Sequence, residues 1–427
     1  MKTYNVAIVG AGPSGYFSAL ALQNEETESI KFKIDLFERL PTPYGLVRSG
    51  VAPDHPKIKS VAKVFEKISD HERFRLLANV EIGRDISLEE LQSHYDAVVL
   101  AVGTSKGRSL GIPGEDLKNS WSSAEFVPWY NGHPDFQNLP VDLSGKRAVV
   151  IGAGNVALDI ARLLTIDAEE LKSTDISTKA LDSLLKSNLK EIWVVSRRGP
   201  ENAAFTAPEL RELEKLQGFN ISVNIEDMSQ FKSLMENVED KHQKANLDFF
   251  RSIAGRPITE NRRTLRFVFN RKPTRIEGSG KVETVVLSGL ESQENVPTDL
   301  LVSAIGYEVG NAFGLGCENS HIKNNDGAIL DNLFVVGWAK RGPSGVIGTN
   351  KSDAAEAMRK VIQNLEKQDP KMERRDMLAL QGLSVVNLQG WRKIDTTERL
   401  NGENEGRIRS KVYAIDEMLA IAAEAQG

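Results

Sequence analysis

The run "YNVAIVGAGPSGYFSALALQ", Tyr4 to Gln23, restricts the fold more than any other stretch of this chain. An apolar segment ends in Gly-x-Gly-x-x-Gly, and a helix-forming segment follows at once, so the run reads as strand, tight turn and helix. Gly10 permits the turn, Gly12 lets the backbone approach a pyrophosphate, and Gly15 lets helix and strand pack closely; Pro13 and Ser14 lie between them. A helix that starts there presents unpaired N–H groups and partial positive charge to phosphates. Glu38 closes the next strand-like run, Phe32 to Glu38, where a carboxylate can accept hydrogen bonds from ribose hydroxyls.

The pattern returns at Lys146 in "KRAVVIGAGNVALDIARLL". Gly152 and Gly154 repeat the first two glycines, Asn155 and Val156 follow, and Ala157 takes the third glycine's place. The next strand ends differently, in "VVSRR": where an acid would stand, Ser196 is followed by Arg197 and Arg198. A carboxylate there would repel a 2′-phosphate, whereas guanidinium groups bind one through paired, charge-assisted hydrogen bonds. Two turns with opposite strand-end chemistry imply two different dinucleotides. FAD at the first and NADP(H) at the second is the simplest assignment.

A chain of 427 residues is too long for one ordinary core. Strands alternate with helices along it, which predicts an α/β fold with two Rossmann-like dinucleotide-binding domains. The late strand "NLFVVGWA" has no nucleotide turn in front of it and is placed back in the first domain. The NADP domain is then inserted into a discontinuous FAD domain, with expected boundaries 1–105, 106–330 and 331–427. A helix is expected from Ile58 to Ile68 and a helical stretch over about 206–255. The runs "RTLRFVFNRKPTRIEG" and "KVETVVLSGL" read as paired strands, and the tail, 370–427, as short helices and polar loops.

Composition excludes several classes. One cysteine, Cys317, leaves no disulfide framework, redox pair, thiolate zinc site or cysteine-held iron–sulfur cluster, and no metal site is expected. The net charge of −5 disfavours nucleic acid as a partner. No apolar run approaches the roughly 20 residues of a membrane span. The chain enters a strand almost at its first residue, so no signal or transit segment is expected in this numbering. A cytoplasmic protein is expected, with a processed organellar form as the alternative.

Two further segments carry chemistry. "GWAKRGPSGVIGTN", Gly337 to Asn350, precedes the last long helix, so the backbone N–H groups of Gly345, Val346 and Ile347 are placed to stabilise negative charge on a reduced ring. "VAPDHPKIK", Val51 to Lys59, is a stiff, charged loop whose prolines limit its entropy and which carries His55. From Arg251 to Arg275 there are eight Lys/Arg and one acid, Glu260, with Arg211 and Lys244 nearby in sequence. Such a run can steer an acidic partner, or it can be a solvated strand face.

Taken in order, "GPSG", "PTPYGLVRSGVAPDHP", "VEIGRD", "GAGNVALDIAR", "SRRGP", "ELREL" and "GWAKRGPSGVIGTN" resemble the adrenodoxin reductase-like ferredoxin–NADP⁺ reductases over nearly the whole chain. The resemblance implies FAD held non-covalently and NADPH electrons passed to a small iron–sulfur ferredoxin. It implies FAD contacts at Ser14, Glu38, Leu46, Ile82, Trp338 and Gly345 to Ile347. It implies NADP contacts at Gly154 to Ala157, Arg197, Arg198 and Glu209, with Gly345 also serving the nicotinamide end. Asp159 and Glu209 match acids near the carboxamide, His55 a histidine beside the flavin, and Arg211 a ferredoxin contact. The residues themselves leave local readings open. His55 can be a turn histidine, Asp159 a helix acid in a local ion pair, and Glu209 ordinary first-turn electrostatics. Two other functions also stay open: an NADPH oxidase or quinone reductase of related fold, or a non-catalytic nucleotide-redox sensor.

Overall fold

Lys2–Val9 forms a strand and Pro13–Asn24 a helix, with the glycine turn between them. Tyr4, Val6 and Ile8 alternate with Asn5, Ala7 and Val9, and all six are buried, because helices and loops cover both faces of a parallel strand. The computed structural model describes residues 1–225, 228–289, 292–310, 313–345, 347–371, 378 and 380–425. The chain divides into two compact units. One comprises Met1–Lys106, Asn131–Pro134 and Tyr307–Gly427; the other comprises Gly107–Tyr130 and Asp135–Gly306.

The first unit is built on a six-stranded sheet. Its order is Ala328–Leu330, Leu333–Val335, Ala97–Leu100, Lys2–Val9, Ile30–Glu38 and Phe74–Ala78, parallel except for the antiparallel edge strand Ala328–Leu330. Leu333–Val335 pairs with Ala97–Leu100, so the late strand does join the first glycine turn's sheet. The return comes earlier than 331. Val309, Phe313, Leu315 and Ile322 already pack into this unit's core, which draws the chain back at Tyr307. Asn131–Pro134 also joins this unit: Lys59 Nζ donates to Asn131 Oδ1 at 3.3 Å, and Arg39 Nη2 lies 3.4 Å from His133 Nε2.

The second unit carries its own six-stranded sheet, all parallel. Its order is Ser120–Ser122, Leu300–Ser303, Arg147–Ile151, Glu191–Val195, Thr264–Val268 and Asn220–Val223. Two expectations need correction here. The stretch 206–255 is not wholly helical: Asn220–Val223 is a strand between the helices Ala207–Lys215 and Met228–Glu236. Thr264–Val268 does not pair with "KVETVV" but enters the large sheet, where Leu265 and Phe267 are fully buried. The expected pairing of the two runs holds for the second part of the first one: Lys272–Glu277 is the antiparallel partner of Thr284–Ser288, and Gln293–Pro297 completes that small sheet. Five phenylalanines, Phe205, Phe249, Phe250, Phe267 and Phe269, are linked by edge-to-face pairs and hold the helix Lys241–Ile253 on the large sheet. Each such pair contributes about 0.5–1.5 kcal/mol beyond its buried area.

Two helical expectations in the first unit also change. The segment Ile58 to Ile68 divides into Pro56–Lys59 and Ala62–Ser69. Among the described residues the tail holds one long helix, Leu388–Asn404, and a shorter one, Ile415–Ala423.

Candidate dinucleotide sites

In the first unit each glycine of the turn has a separate reason. Gly10 has φ +109° and its Hα faces Ala101, where a Cβ would stand 2.6 Å from the carbonyl oxygen. A Cβ on Gly15 would stand 2.0 Å from the Gly10 oxygen. Gly12 differs: its missing Cβ points into space with no described atom within 4 Å. Gly12 is also the N-cap of Pro13–Asn24 and no described side chain caps that helix. Pro13 has no N–H to satisfy, so the free donors of the first turn begin at Ser14 and Gly15. An open cradle in front of uncapped donors fits a pyrophosphate.

Glu38 sits at the end of Ile30–Glu38 with its carboxylate pinned by two backbone donors. Ala11 N–H reaches Oε2 at 3.0 Å and Leu40 N–H reaches Oε1 at 3.1 Å. Burial pushes this carboxyl above its ordinary value, and the Leu40 and Ala11 N–H groups pull the other way. Each carboxylate oxygen keeps a lone pair for a hydroxyl.

The loop after this strand lies on the glycine turn. Tyr44 N–H donates to Ala11 O at 2.7 Å, and a Cβ on Gly45 would come 3.0 Å from Gly12 Cα. Leu46 follows with 42% of its surface exposed. Ser14 Oγ bonds Asn350 Oδ1 at 3.1 Å, and Gly337 abuts that hydroxyl so closely that a Cβ would stand 2.0 Å from Oγ. Gly337 N–H donates to Asp353 Oδ2 at 2.7 Å. Trp338 stacks on Tyr307 at 6.1 Å and donates its indole N–H to Ser344 O. The glycine turn is thus met by Glu38 at Ala11, by Gly45, next to Leu46, at Gly12, and by Gly337, next to Trp338, at Ser14. Gly345 is exposed with φ +82°, and Ile347 packs on the core; Val346 lies outside the described residues. Ile82 is a core side chain, 4% exposed, bridged to Ile86. His55 is buried in a turn, its N–H donating to Ala52 O and its carbonyl accepting from Ile58 N–H.

The second unit repeats the design. Gly152 has φ +147° with a Cβ position 2.3 Å from Ala304 O, and Gly154 faces open space. Gly154 caps Asn155–Thr165 with no described side chain in support. Ala157 is fully buried where a third glycine would stand, and Val156 is half-buried. At the end of Glu191–Val195, Ser196 Oγ accepts the Arg198 N–H at 3.2 Å and shapes the turn. Arg197 and Arg198 are both exposed, and neither guanidinium has an ion-pair partner among the described residues. Both remain available to an anion.

Asn155 ties this turn to the next helix. Its Oδ1 accepts Thr206 N–H at 2.9 Å, its Nδ2 donates to Thr206 Oγ1 at 3.2 Å, and Ala204 N–H donates to Ala153 O. Thr206 caps Ala207–Lys215, so Glu209 in its first turn is carried by the glycine turn itself. Asp159 and Glu209 meet through Arg162, the bulkiest fully buried side chain. Arg162 Nη1 lies 2.7 Å from Asp159 Oδ1 and 3.8 Å from Glu209 Oε2. The local ion pair at Asp159 is therefore real, and it reaches the second acid as well. Arg162 stands three residues after Asp159 in a helix, a spacing readable in "DIAR". Replacing Arg162 by Met is expected to destabilise the protein by about 3 kcal/mol, because it strips the cation from two carboxylates. Urea unfolding checks this, and Arg162→Lys should cost less.

The basic run Arg251 to Arg275 divides among three elements. Arg251 pairs with Asp248 at 2.8 Å, Arg263 donates to Ile166 O, Arg266 lies over Trp193, and Arg275 pairs with Glu277. Arg211 is exposed on Ala207–Lys215 beside a groove of about 270 Å³ that Phe249, Glu214 and Asp248 also line.

Two uncapped glycine turns, one ending in an acid and one in two arginines, define a pyridine-nucleotide oxidoreductase with a second dinucleotide. Residues 4–193 match the family model "Pyridine nucleotide-disulphide oxidoreductase". The chain is 41% identical to "NADPH-ferredoxin reductase FprA" of Mycobacterium tuberculosis, over 99% of each chain. It is 36% identical to the mitochondrial "NADPH:adrenodoxin oxidoreductase" of Salvelinus fontinalis, covering 98% of this chain and 91% of that one. The solved structure of Mycobacterium tuberculosis FprA in complex with NADPH superposes with a TM-score of 0.93 at 40% identity, over 99% of this chain and all of that one. The chain belongs to the adrenodoxin reductase-like ferredoxin–NADP⁺ reductase family.

Proposed function

We infer that the chain is an FAD-dependent NADPH:ferredoxin oxidoreductase, with FAD in the first unit and NADP(H) in the second. The observation that carries this reading is the pair of open, uncapped glycine turns with Glu38 beside one and Arg197 and Arg198 beside the other. Membership of the family supports it, and so does the single cysteine, which leaves no dithiol for disulfide reduction. Bound FAD supplies the conversion between hydride acceptance and single-electron release.

The chain's own residues bind and orient. Ser14 and Gly15 N–H groups face the FAD pyrophosphate, Glu38 the ribose, and Leu46 and Trp338 flank the pocket. The N-terminus of Asn155–Thr165 takes the NADP pyrophosphate, with Asn155, Val156 and Ala157 in its first turn. Arg197 and Arg198 hold the 2′-phosphate. Asp159 and Glu209, fixed by Arg162, serve the carboxamide end. His55, held in its turn, forms a wall of the flavin pocket. Gly345 to Ile347 provide donors toward the ring. Ile82 is an FAD contact by its match to the family's pattern. A reducing cytoplasm suits the single exposed cysteine.

The partner is an acidic iron–sulfur ferredoxin, and Arg211 is its preferred contact because that guanidinium is exposed on the helix that carries Glu209. With NADPH present, cytochrome c reduction should depend on added ferredoxin. Arg211→Glu should raise the ferredoxin KM about tenfold and flatten its salt dependence, leaving ferricyanide reduction unchanged. Fast cytochrome c reduction without ferredoxin would favour the oxidase reading. No ferricyanide turnover at all would favour the sensor.

A further inference from the structure

The tail run "NEGRIRSKV", Asn404 to Val412, has no part in the reading above, yet Lys411 reaches the loop that lies on the first glycine turn, and Arg409 and Val412 bond the carboxylate that holds this loop. Glu398, on the helix Leu388–Asn404, is 0% exposed. It receives Arg48 in a fork, Nη1 to Oε2 at 2.8 Å and Nη2 to Oε1 at 2.5 Å. Arg409 Nη1 adds a third bond to Oε2 at 2.6 Å, and Val412 N–H a fourth to Oε1 at 3.0 Å. Lys411, 5% exposed, donates its ammonium to the carbonyls of Arg48 at 3.1 Å and Asn131 at 2.9 Å. Burial alone would push the Glu398 carboxyl up, but Arg48 and Arg409 outweigh it and hold it below its ordinary value.

The same helix grips the loop at a second point. Arg48 lies 5.5 Å from the centre of the Trp391 ring, and Trp391 meets Tyr44 edge to face at 5.4 Å. The Trp391 indole N–H donates to Tyr44 Oη at 3.3 Å. Tyr44 is strained, with φ +86°, and it is the residue whose N–H bonds Ala11 O inside the glycine turn. Arg48 N–H in turn bonds Gly45 O, the glycine seated on Gly12.

We propose that Glu398 is a positioning residue for FAD: through Arg48 and Tyr44 it holds the loop Tyr44 to Ser49 against the glycine turn, so the helix Leu388–Asn404 sets how tightly the flavin is retained. A buried carboxylate shared by two arginines is rigid, because loss of either partner leaves a buried charge incompletely matched. A strained loop residue stays in place only where its surroundings over-determine it. The inference rests on the assignment of FAD to the first unit.

The test compares wild-type holoprotein with Arg48→Met, Glu398→Gln and the double variant. FAD release after dilution is read as recovery of free-flavin fluorescence, and urea unfolding of each apoprotein is read separately. Both single variants should release FAD about tenfold faster or more. The double variant should be no faster than the worse single one, because the two residues act as one unit. Binding of 2′,5′-ADP to the second unit should be unchanged. If Glu398→Gln does not fold, Arg48→Met from the loop side and Trp391→Phe from the helix side carry the same comparison. Unchanged FAD retention in Arg48→Met, at any apoprotein stability, would overturn the proposal. Equal loss of FAD and 2′,5′-ADP would overturn it too, by showing general destabilisation. A wild-type chain that takes up no FAD would overturn both the functional reading and this inference.

Discussion

Replacing Arg197 and Arg198 together by alanine should weaken NADPH binding about a hundredfold while leaving NADH binding nearly unchanged. Each charge-assisted hydrogen bond to a phosphate contributes about 1.5–3 kcal/mol, and each 1.4 kcal/mol is about tenfold. Two such groups reach beyond a thousandfold in the upper limit. Both arginines are exposed, so solvent screening brings the expectation down. Protein stability should not change, because neither guanidinium has an ion-pair partner among the described residues. Binding titrations with NADPH, NADH and 2′,5′-ADP check this. Equal losses for NADPH and NADH would mean that the arginines do not read the 2′-phosphate.

A comparison of Gly12→Ala with Gly15→Ala should separate binding from folding within a single turn. Gly12 has φ −87°, which alanine adopts freely, and its Cβ would meet no described atom within 4 Å. Gly12→Ala apoprotein should therefore unfold within about 0.5 kcal/mol of wild type. The new methyl group occupies the space in which a pyrophosphate would meet the helix N-terminus, so the purified protein should be nearly colourless. Gly15→Ala drives a Cβ to 2.0 Å from the Gly10 carbonyl oxygen. It should cost about 2 kcal/mol or more through backbone displacement. Absorbance at the flavin band and urea unfolding of the apoproteins report the two effects separately.

Both predictions concern features that a local stretch of sequence already specifies. A glycine turn needs its residues at fixed spacing within six positions, and the strand-end residue follows one helix later. The tight turns at Gly10 and Gly152, the open positions of Gly12 and Gly154 and the place of Glu38 at its strand end were therefore legible, as was the return of "NLFVVGWA" to the first sheet. The less legible features depend on distant partners. Asn220–Val223 is short and polar, and it becomes a strand only because Thr264–Val268 offers it a parallel edge. "RTLRFVF" and "KVETVV" both have strand character, and alternation alone does not say which sheet each enters. The return at Tyr307 depends on where Val309, Phe313 and Leu315 find a core. Among charged groups, Arg162 was readable as a partner of Asp159 but not of Glu209, 47 positions from Arg162 in "TAPEL". Glu398 and Arg48 are separated by 350 positions, and no local pattern marks them as a pair.

The basic run Arg251 to Arg275 shows the converse. Charges adjacent in sequence are dispersed when strand, loop and helix send them to different neighbours, such as Asp248, the Ile166 carbonyl and the Trp193 ring. Arg211, outside that run, is exposed on the helix Ala207–Lys215.

The central claim is that one chain holds FAD in its first unit and selects NADPH in its second. Stopped-flow absorbance of the purified protein, mixed anaerobically with NADPH and separately with NADH, tests it most directly. The account predicts rapid bleaching of the flavin band with NADPH and much slower bleaching with NADH. Equal rates would contradict the role given to Arg197 and Arg198, and a protein that stays colourless after FAD is added would contradict the assignment of the first unit.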